Sequence, residues 1–468
     1  MATDGVPKPN LDLVQIMPAK LPETGTPALE LSAVREKLSE ARGPQYWRSL
    51  EELTDQEGFQ EMMEREFPRH VSEWTDAVSR RGFLKLMSAS LALAGLSACT
   101  RQPDETIVPY VQQPEDLIPG VPQYYATAQP TNLGAQPLLI KSQMYRPIKV
   151  EGNPEHPVSK GASDVYAQAS VLDLYDPDRS QTITYLGNTR TWGDFFGALR
   201  DAAAAEKGKQ GSGLRILTET VVSPTLAGQL REVLRAYPQA KWYQYDAVNR
   251  DSARAGARMA FGQYLDAQYQ LQNAEIIVSL DADFLGGGYF PGFLKLARDF
   301  ASRRKLLDTK EMNRLYVVES QMSPTGGKAD NRLALRAWEV EQFAGALAGA
   351  VGAGGSGVVE SATAKKFLET LAADLKAHAG RCVVIPGEQQ SPAVHALAAA
   401  MNSSLGAVGK TVVYTDTVEV VPLEQGLGIK ELVDDMKAGR VTTLVMIGGN
   451  PVFNAPADVD IKGGLEKV

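Results

Sequence analysis

The chain has 468 residues, a formal net charge of −8 and 44% hydrophobic residues, enough length for one large α/β domain with extensions or for more than one domain. The acidic balance, with no Lys/Arg-rich stripe, excludes a nucleic-acid binder, which needs a basic surface to displace counterions from phosphates. With Cys99 and Cys382 as its two cysteines and His70, His156, His378 and His395 scattered without ligand spacing, the chain is predicted to hold no metal site, since an iron–sulfur cluster takes about four thiolates.

Residues 1–78 read as an N-terminal extension, partly disordered. Its opening is rich in proline and polar residues. From Tyr46-Trp47 onward, Leu50, Leu53, Phe59, Met62 and Met63 recur at roughly helical spacing until Phe67-Pro68. This fits a small recognition module, a chaperone-binding leader or a loosely helical tail lost on processing. Residues 79–99 then contain Ser79-Arg80-Arg81-Gly82-Phe83-Leu84-Lys85, a twin-arginine export signal carried by Arg80, Arg81, Phe83 and Leu84. The apolar run Leu86 to Gly95 is too short to span a bilayer, and Leu96-Ser97-Ala98-Cys99 has the form of a lipobox. The expectation is a protein on the periplasmic face of the cytoplasmic membrane, anchored by a lipid on Cys99. Cys382 opens the run Cys382-Val383-Val384-Ile385 and reads as a small buried hydrophobe in a strand.

Residues 100–130 contain Pro103, Pro109, Pro114, Pro119, Pro122 and Pro130, which favour an extended tether along a surface, docked by Tyr110, Tyr124 and Tyr125. Residues 131–190 hold two short strands, Leu138 to Lys141 and Pro147 to Pro154, and read as a small β-rich subdomain. Residues 191–468 alternate strands with helices. Strands are predicted at Arg215 to Leu217, Lys241 to Tyr245, Glu275 to Leu280, Leu315 to Glu319, Cys382 to Ile385, Thr411 to Tyr414 and Thr443 to Ile447. Helices are predicted at Leu226 to Ala236, Asp251 to Ala260, Pro291 to Lys305, Lys365 to His378 and Ala393 to Met401. Such alternation predicts an α/β fold with mostly parallel sheets flanked by helices. The glycine-rich Ala350 to Gly357 reads as a flexible surface loop.

Three turns follow strands where open α/β sheets bind ligands. Asp281-Ala282-Asp283-Phe284-Leu285, followed by Gly286-Gly287-Gly288, offers carboxylates for hydroxyls and glycines for a phosphate. Its spacing fits neither a dinucleotide fingerprint nor a phosphate loop, and a polar strand end with a flexible turn is the simpler reading. The second turn is Ser323 to Arg332, containing Asp330. The third is Gly448-Gly449-Asn450-Pro451. Asp281, Asp283, Asp330 and Asn450 are thus the cofactor-binding candidates. No hydrolytic triad or paired-carboxylate arrangement can be drawn, and His395 reads as a helix residue.

Pro147 to Pro157, Leu174-Tyr175-Asp176-Pro177-Asp178-Arg179-Ser180 and Thr191-Trp192 together resemble the N-terminal region of the molybdopterin oxidoreductases. The resemblance implies an iron–sulfur cluster in the β-rich subdomain, with a cysteine ligand shortly after the His-Pro segment. Here Lys160-Gly161-Ala162-Ser163-Asp164 stands there instead, so the scaffold is expected without its cluster. The resemblance also implies a molybdenum ligand near Thr218 to Pro224, where Ser223 is a candidate by type but is more simply read as an N-cap before Pro224.

More narrowly, the export signal, Tyr46-Trp47, Ile107-Val108-Pro109-Tyr110, Ser279 to Leu285 and Gly387-Glu388-Gln389-Gln390-Ser391-Pro392 resemble the molybdopterin-oxidoreductase-like B subunit of bacterial alternative complex III. That resemblance implies a cofactor-free half, with 4Fe-4S and 3Fe-4S clusters in a further half expected beyond Val468. It also implies a polytopic quinol-oxidising membrane subunit and haem c subunits as partners. The leading expectation is a non-catalytic scaffold half of a respiratory electron-transfer subunit. An active molybdopterin-dependent oxidoreductase and a solute-binding lipoprotein are the alternatives.

Overall fold

The computed structural model describes residues 118, 120–286, 290–305 and 312–468. The extension, the export signal, Cys99, Tyr110, Gly287 and Gly288 lie outside the described residues.

The β-rich subdomain begins earlier than its sequence suggests. Gln123–Thr131 (β1), Gly134–Gln143 (β2) and Arg146–Gly152 (β3) form an antiparallel sheet in the order β1-β2-β3. Residues 123–130, expected in the tether, therefore belong to a strand. Pro130 is tolerated there because β1 is an edge strand, where a missing N–H need not break a ladder on its free side. Leu138 and Val150 pack with Ala167 of helix α1 (Val165–Asp173) into a small core. Asp164, in the stretch that lacks the cysteine, caps α1 by accepting from Ala167 N at 2.6 Å. The turn before it closes tightly, and any Cβ at Gly152 would collide with the Ala162 carbonyl. Ile183–Tyr185 (β4) and Asn188–Arg190 (β5) make a hairpin. Helix α2 (Trp192–Lys207) then starts on a capping box between Thr191 and Asp194. The subdomain is tied to the rest of the described chain by Asn132 Nδ2 donating to Val248 O at 2.8 Å and Arg298 Nη2 to Lys160 O at 2.8 Å.

The α/β part proceeds through Leu214–Thr218 (β6), Pro224–Ala236 (α3), Lys241–Gln244 (β7), Asp251–Phe261 (α4) and Leu265–Tyr269 (β8). It continues with Ile276–Leu280 (β9), Phe293–Ser302 (α5), Arg314–Glu319 (β10), Asn331–Ala334 (β11), Ala337–Ala350 (α6), Ala362–Ala377 (α7) and Cys382–Pro386 (β12). The last elements are Pro392–Ser404 (α8), Val412–Asp416 (β13), Gln425–Lys437 (α9), Thr443–Ile447 (β14), Pro451–Asn454 (α10) and Ile461–Leu465 (α11). All seven predicted strands of this region form. Thr411 to Tyr414 departs in its pairing: β13 runs antiparallel to β8, outside the parallel sheets.

Two parallel sheets result, ordered β11-β10-β9-β12 and β14-β6-β7. In the larger sheet every residue of β9 and β12 is buried, as expected of strands covered on both faces. Alternate side chains divide between two cores. Ile276, Val278, Leu280 and Val384 face Phe343, Leu347, Leu371, Leu375 and Met401 of α6, α7 and α8. Ile277, Leu315, Val317, Val383 and Ile385 face Leu296 and Phe300 of α5 with Tyr269. Cys382 is buried as expected, and desolvation pushes its thiol up to about 11, so it is inert at neutral pH. In the smaller sheet Leu217 and Tyr243 face α9, while Ile216 and Trp242 face α3.

Residues 351–357 form the expected surface loop, which packs back along α6: a Cβ at Gly357 would meet the Gln342 carbonyl, and this close approach requires glycine. Among the described residues no helix is long and apolar enough to cross a membrane.

Ser223 is the N-cap of α3, accepting from Leu226 N at 3.3 Å with Pro224 in the first turn. Ser223→Ala is expected to cost about 1 kcal/mol, read as a lowered urea midpoint with an unchanged denaturant slope.

Candidate functional site

In the larger sheet the chain runs from β9 outward through β10 to β11, then returns on the other side of β9 as β12. A crevice opens where these paths diverge, at the carboxyl ends of β9 and β12, the usual place for ligands in such sheets. It has a volume of about 720 Å³. Its walls are residues 281–283 after β9, 320–324 after β10, 389–391 after β12, and one face of α6.

The acidic residues of these loops brace one another's backbones. Asp281 adopts a left-handed backbone, φ 60°, a conformation that aspartate tolerates better than most residues. This follows from its position: its N–H still bonds Val318 O at 2.7 Å while the chain leaves the strand. Its carboxylate accepts from Gln390 Nε2 at 2.9 Å and Ser320 N at 3.3 Å, and its carbonyl accepts from Gln389 Nε2 at 2.7 Å. Asp283 accepts from Thr325 N at 2.9 Å and Thr325 Oγ1 at 2.7 Å, both on one oxygen. Glu319, buried at the end of β10, accepts from Ser323 Oγ at 2.7 Å and Arg332 Nε at 2.5 Å. Behind the crevice, Arg250, the residue just before α4, joins Glu388 at 3.0 Å to Asp266 at 2.8 Å and so fixes the loop after β12.

The structure brings Asp281 and Asp283 together and separates the other two candidates from them. Asp330 precedes β11 and faces the amino end of the sheet, where it accepts from Leu315 N at 2.7 Å and pairs with Arg304 at 2.5 Å. It is a structural brace at the end opposite the crevice. Asn450 stands at the carboxyl end of β14 in the smaller sheet, opening α10 through its carbonyl, which accepts from Phe453 N at 3.0 Å. There it neighbours Glu219, whose carboxyl is pushed up by burial and by Asp246, against the lowering effect of the Gly449 N–H.

Sequence reasoning missed Trp338 and Glu341, which line the crevice from α6. Their spacing of three residues puts them on one helical face. The helix is hidden in the sequence because its Ala and Gly content blurs the apolar stripe, although Glu339 accepts from Arg336 N at 2.7 Å at its start.

A molybdopterin cofactor carries a phosphate, and the crevice does not fit one. Asp281, Asp283 and Glu341 line it with no Lys, Arg or His, a field that repels an anion. Among the described residues no group of His, Cys, Asp and Glu is arranged to hold a metal ion.

No protein-family model matches the sequence. The chain is 28% identical over 228 residues to the menaquinone reductase, molybdopterin-binding-like subunit of Nitratidesulfovibrio vulgaris, the match covering 45% of this chain and 31% of the relative. It thus spans about a third of the length of that relative. Among solved structures, acetylene hydratase from Pelobacter acetylenicus overlaps with a TM-score of 0.38 at 10% identity, covering 62% of this chain and 42% of that one. The sequence match is thus a distant and partial similarity to one subunit named molybdopterin-binding-like.

Proposed function

We propose that the chain is the cofactor-free scaffold part of a quinone-linked respiratory electron-transfer subunit, specifically the B subunit of an alternative complex III. On this reading Arg80, Arg81, Phe83 and Leu84 direct export, and Cys99 carries the lipid that holds the protein at the periplasmic face of the membrane. A polytopic quinol-oxidising subunit and haem c subunits are its partners, and 4Fe-4S and 3Fe-4S clusters in a cluster-bearing half carry the electrons.

The observation that carries the proposal is the crevice itself. Where a pterin phosphate would need donors, Asp281, Asp283 and Glu341 stand, and the first two brace the loops around them. The distant sequence similarity to a subunit named molybdopterin-binding-like supports the respiratory context.

Metal analysis of the purified full chain tests it. Molybdenum and releasable pterin well below one per chain are expected, together with co-purification of haem c from membranes. Stoichiometric molybdenum would instead establish the working oxidoreductase, and isolation without any haem-bearing or membrane partner would favour a solute-binding lipoprotein.

A further inference from the structure

The same crevice has a rim that bracing does not explain. Trp338 and Met322 line it yet are 61% and 65% exposed. Burying an indole stabilises a fold by a few kcal/mol, so a Trp left open beside carboxylates has a face free for a ligand. One carboxylate also keeps capacity in reserve. Both hydrogen bonds to Asp283 fall on Oδ1, and Glu341 accepts from Ser391 Oγ on Oε2 at 2.5 Å. Among the described residues Glu341 Oε1 accepts no hydrogen bond and is left for an incoming donor, whereas Asp283 Oδ2 lies close against Gly286.

Resting on the reading that no pterin fills this crevice, we propose that it docks a partner protein through an arginine side chain. The complementarity is specific to a guanidinium. It is planar and weakly hydrated, stacks on an aromatic face, and presents a fork of donors to carboxylates, whereas a lysine ammonium matches only the charge. The guanidinium stacks on Trp338 while its N–H groups reach Glu341, with Asp281 and Asp283 of the loop after β9 adding negative charge to the same crevice. The charged residues of the lining are all acidic, which draws the cation in and disfavours acidic partners.

The test uses the full chain and two fluorescein-labelled peptides of equal length and charge, one with arginines and one with lysines, in fluorescence anisotropy. The arginine peptide is expected to bind about tenfold more tightly than the lysine peptide. Trp338→Ala and Glu341→Gln are each expected to erase most of that preference, and Trp338→Phe to restore part of it. Both positions sit on the solvent side of α6, and circular dichroism verifies that the variants fold. Equal affinities for the two peptides, or unchanged affinity in both variants, would overturn the proposal. Pterin and molybdenum are measured on the same preparation. A cofactor at one per chain overturns both the docking site and the scaffold reading, while cofactor-free protein that does not discriminate the peptides overturns the docking site alone.

Discussion

Asp435→Ala is expected to destabilise the protein by about 3–5 kcal/mol, because it strands a buried guanidinium. Arg215 of β6 and Asp435 of α9 have side chains 5% and 4% exposed and meet at 2.7 Å, with a second bond from Arg215 Nε at 2.8 Å. Arg440 adds a further donor at 2.9 Å to the other carboxylate oxygen. The pair fastens the central strand of the smaller sheet to the helix that covers it. Its loss should therefore be felt across that sheet in urea unfolding. Replacing both partners with apolar residues of similar size, Arg215→Met with Asp435→Leu, should cost much less than Asp435→Ala alone, since no charge is left without its counterpart.

The same carboxylate gives an acid limb to stability. Burial would raise its pKa, but hydrogen bonds from Arg440 and Arg215 and the nearby charges outweigh burial and hold it below the usual range. A carboxyl depressed in the folded state contributes stability above its unfolded pKa, about 3.9, and loses that contribution as pH falls through the lower, folded value. Thermal melts should accordingly show the gap between wild type and Asp435→Ala fully open at neutral pH and narrowing below about pH 4.

The second large effect is expected at Phe284, and it reaches the crevice. Phe284 is 0% exposed and packs edge-to-face on Phe290 at 6.5 Å and Phe300 at 6.3 Å. Phe284→Ala should cost about 3–5 kcal/mol through lost burial and the cavity left behind. Because Phe284 follows Asp283 directly, its ring is the anchor that presents Asp281 and Asp283 to the loops they brace. Hydrogen exchange at Leu285 N and Thr325 N, which bond to Thr325 Oγ1 and Asp283, should accelerate more in Phe284→Ala than elsewhere in the sheet. Phe284→Leu, which keeps much of the volume, should show a smaller loss and near-native exchange. Uniform acceleration across the chain would mean that the ring supports the global core and not the loop.

Individual elements show what was legible in advance. The strands of the parallel sheets were readable because residues such as Ile276 to Leu280 and Cys382 to Ile385 are apolar on both faces, and such runs bury only between two layers of helices. Helices α3 and α4 were readable from caps and spacing, as Ser223 and Pro224 illustrate. Helix α6 was not, because Ala and Gly leave its apolar stripe ill-defined. Strand β1 was concealed by Pro122 and Pro130, whose cost depends on whether the strand has a free edge.

The amino-acid sequence by itself determined the α/β class, the two-sided burial of its central strands and the scarcity of thiolates, since each is a property of composition or short-range period. Only the tertiary structure decided the site. Asp281, Asp283 and Asp330 look alike as acidic residues near turns, yet a parallel sheet has two ends. The order in which strands enter it sends the first two to the carboxyl end and the third to the opposite one. Trp338, distant from them in the chain, joins the crevice for the same reason: β11 delivers α6 to its edge.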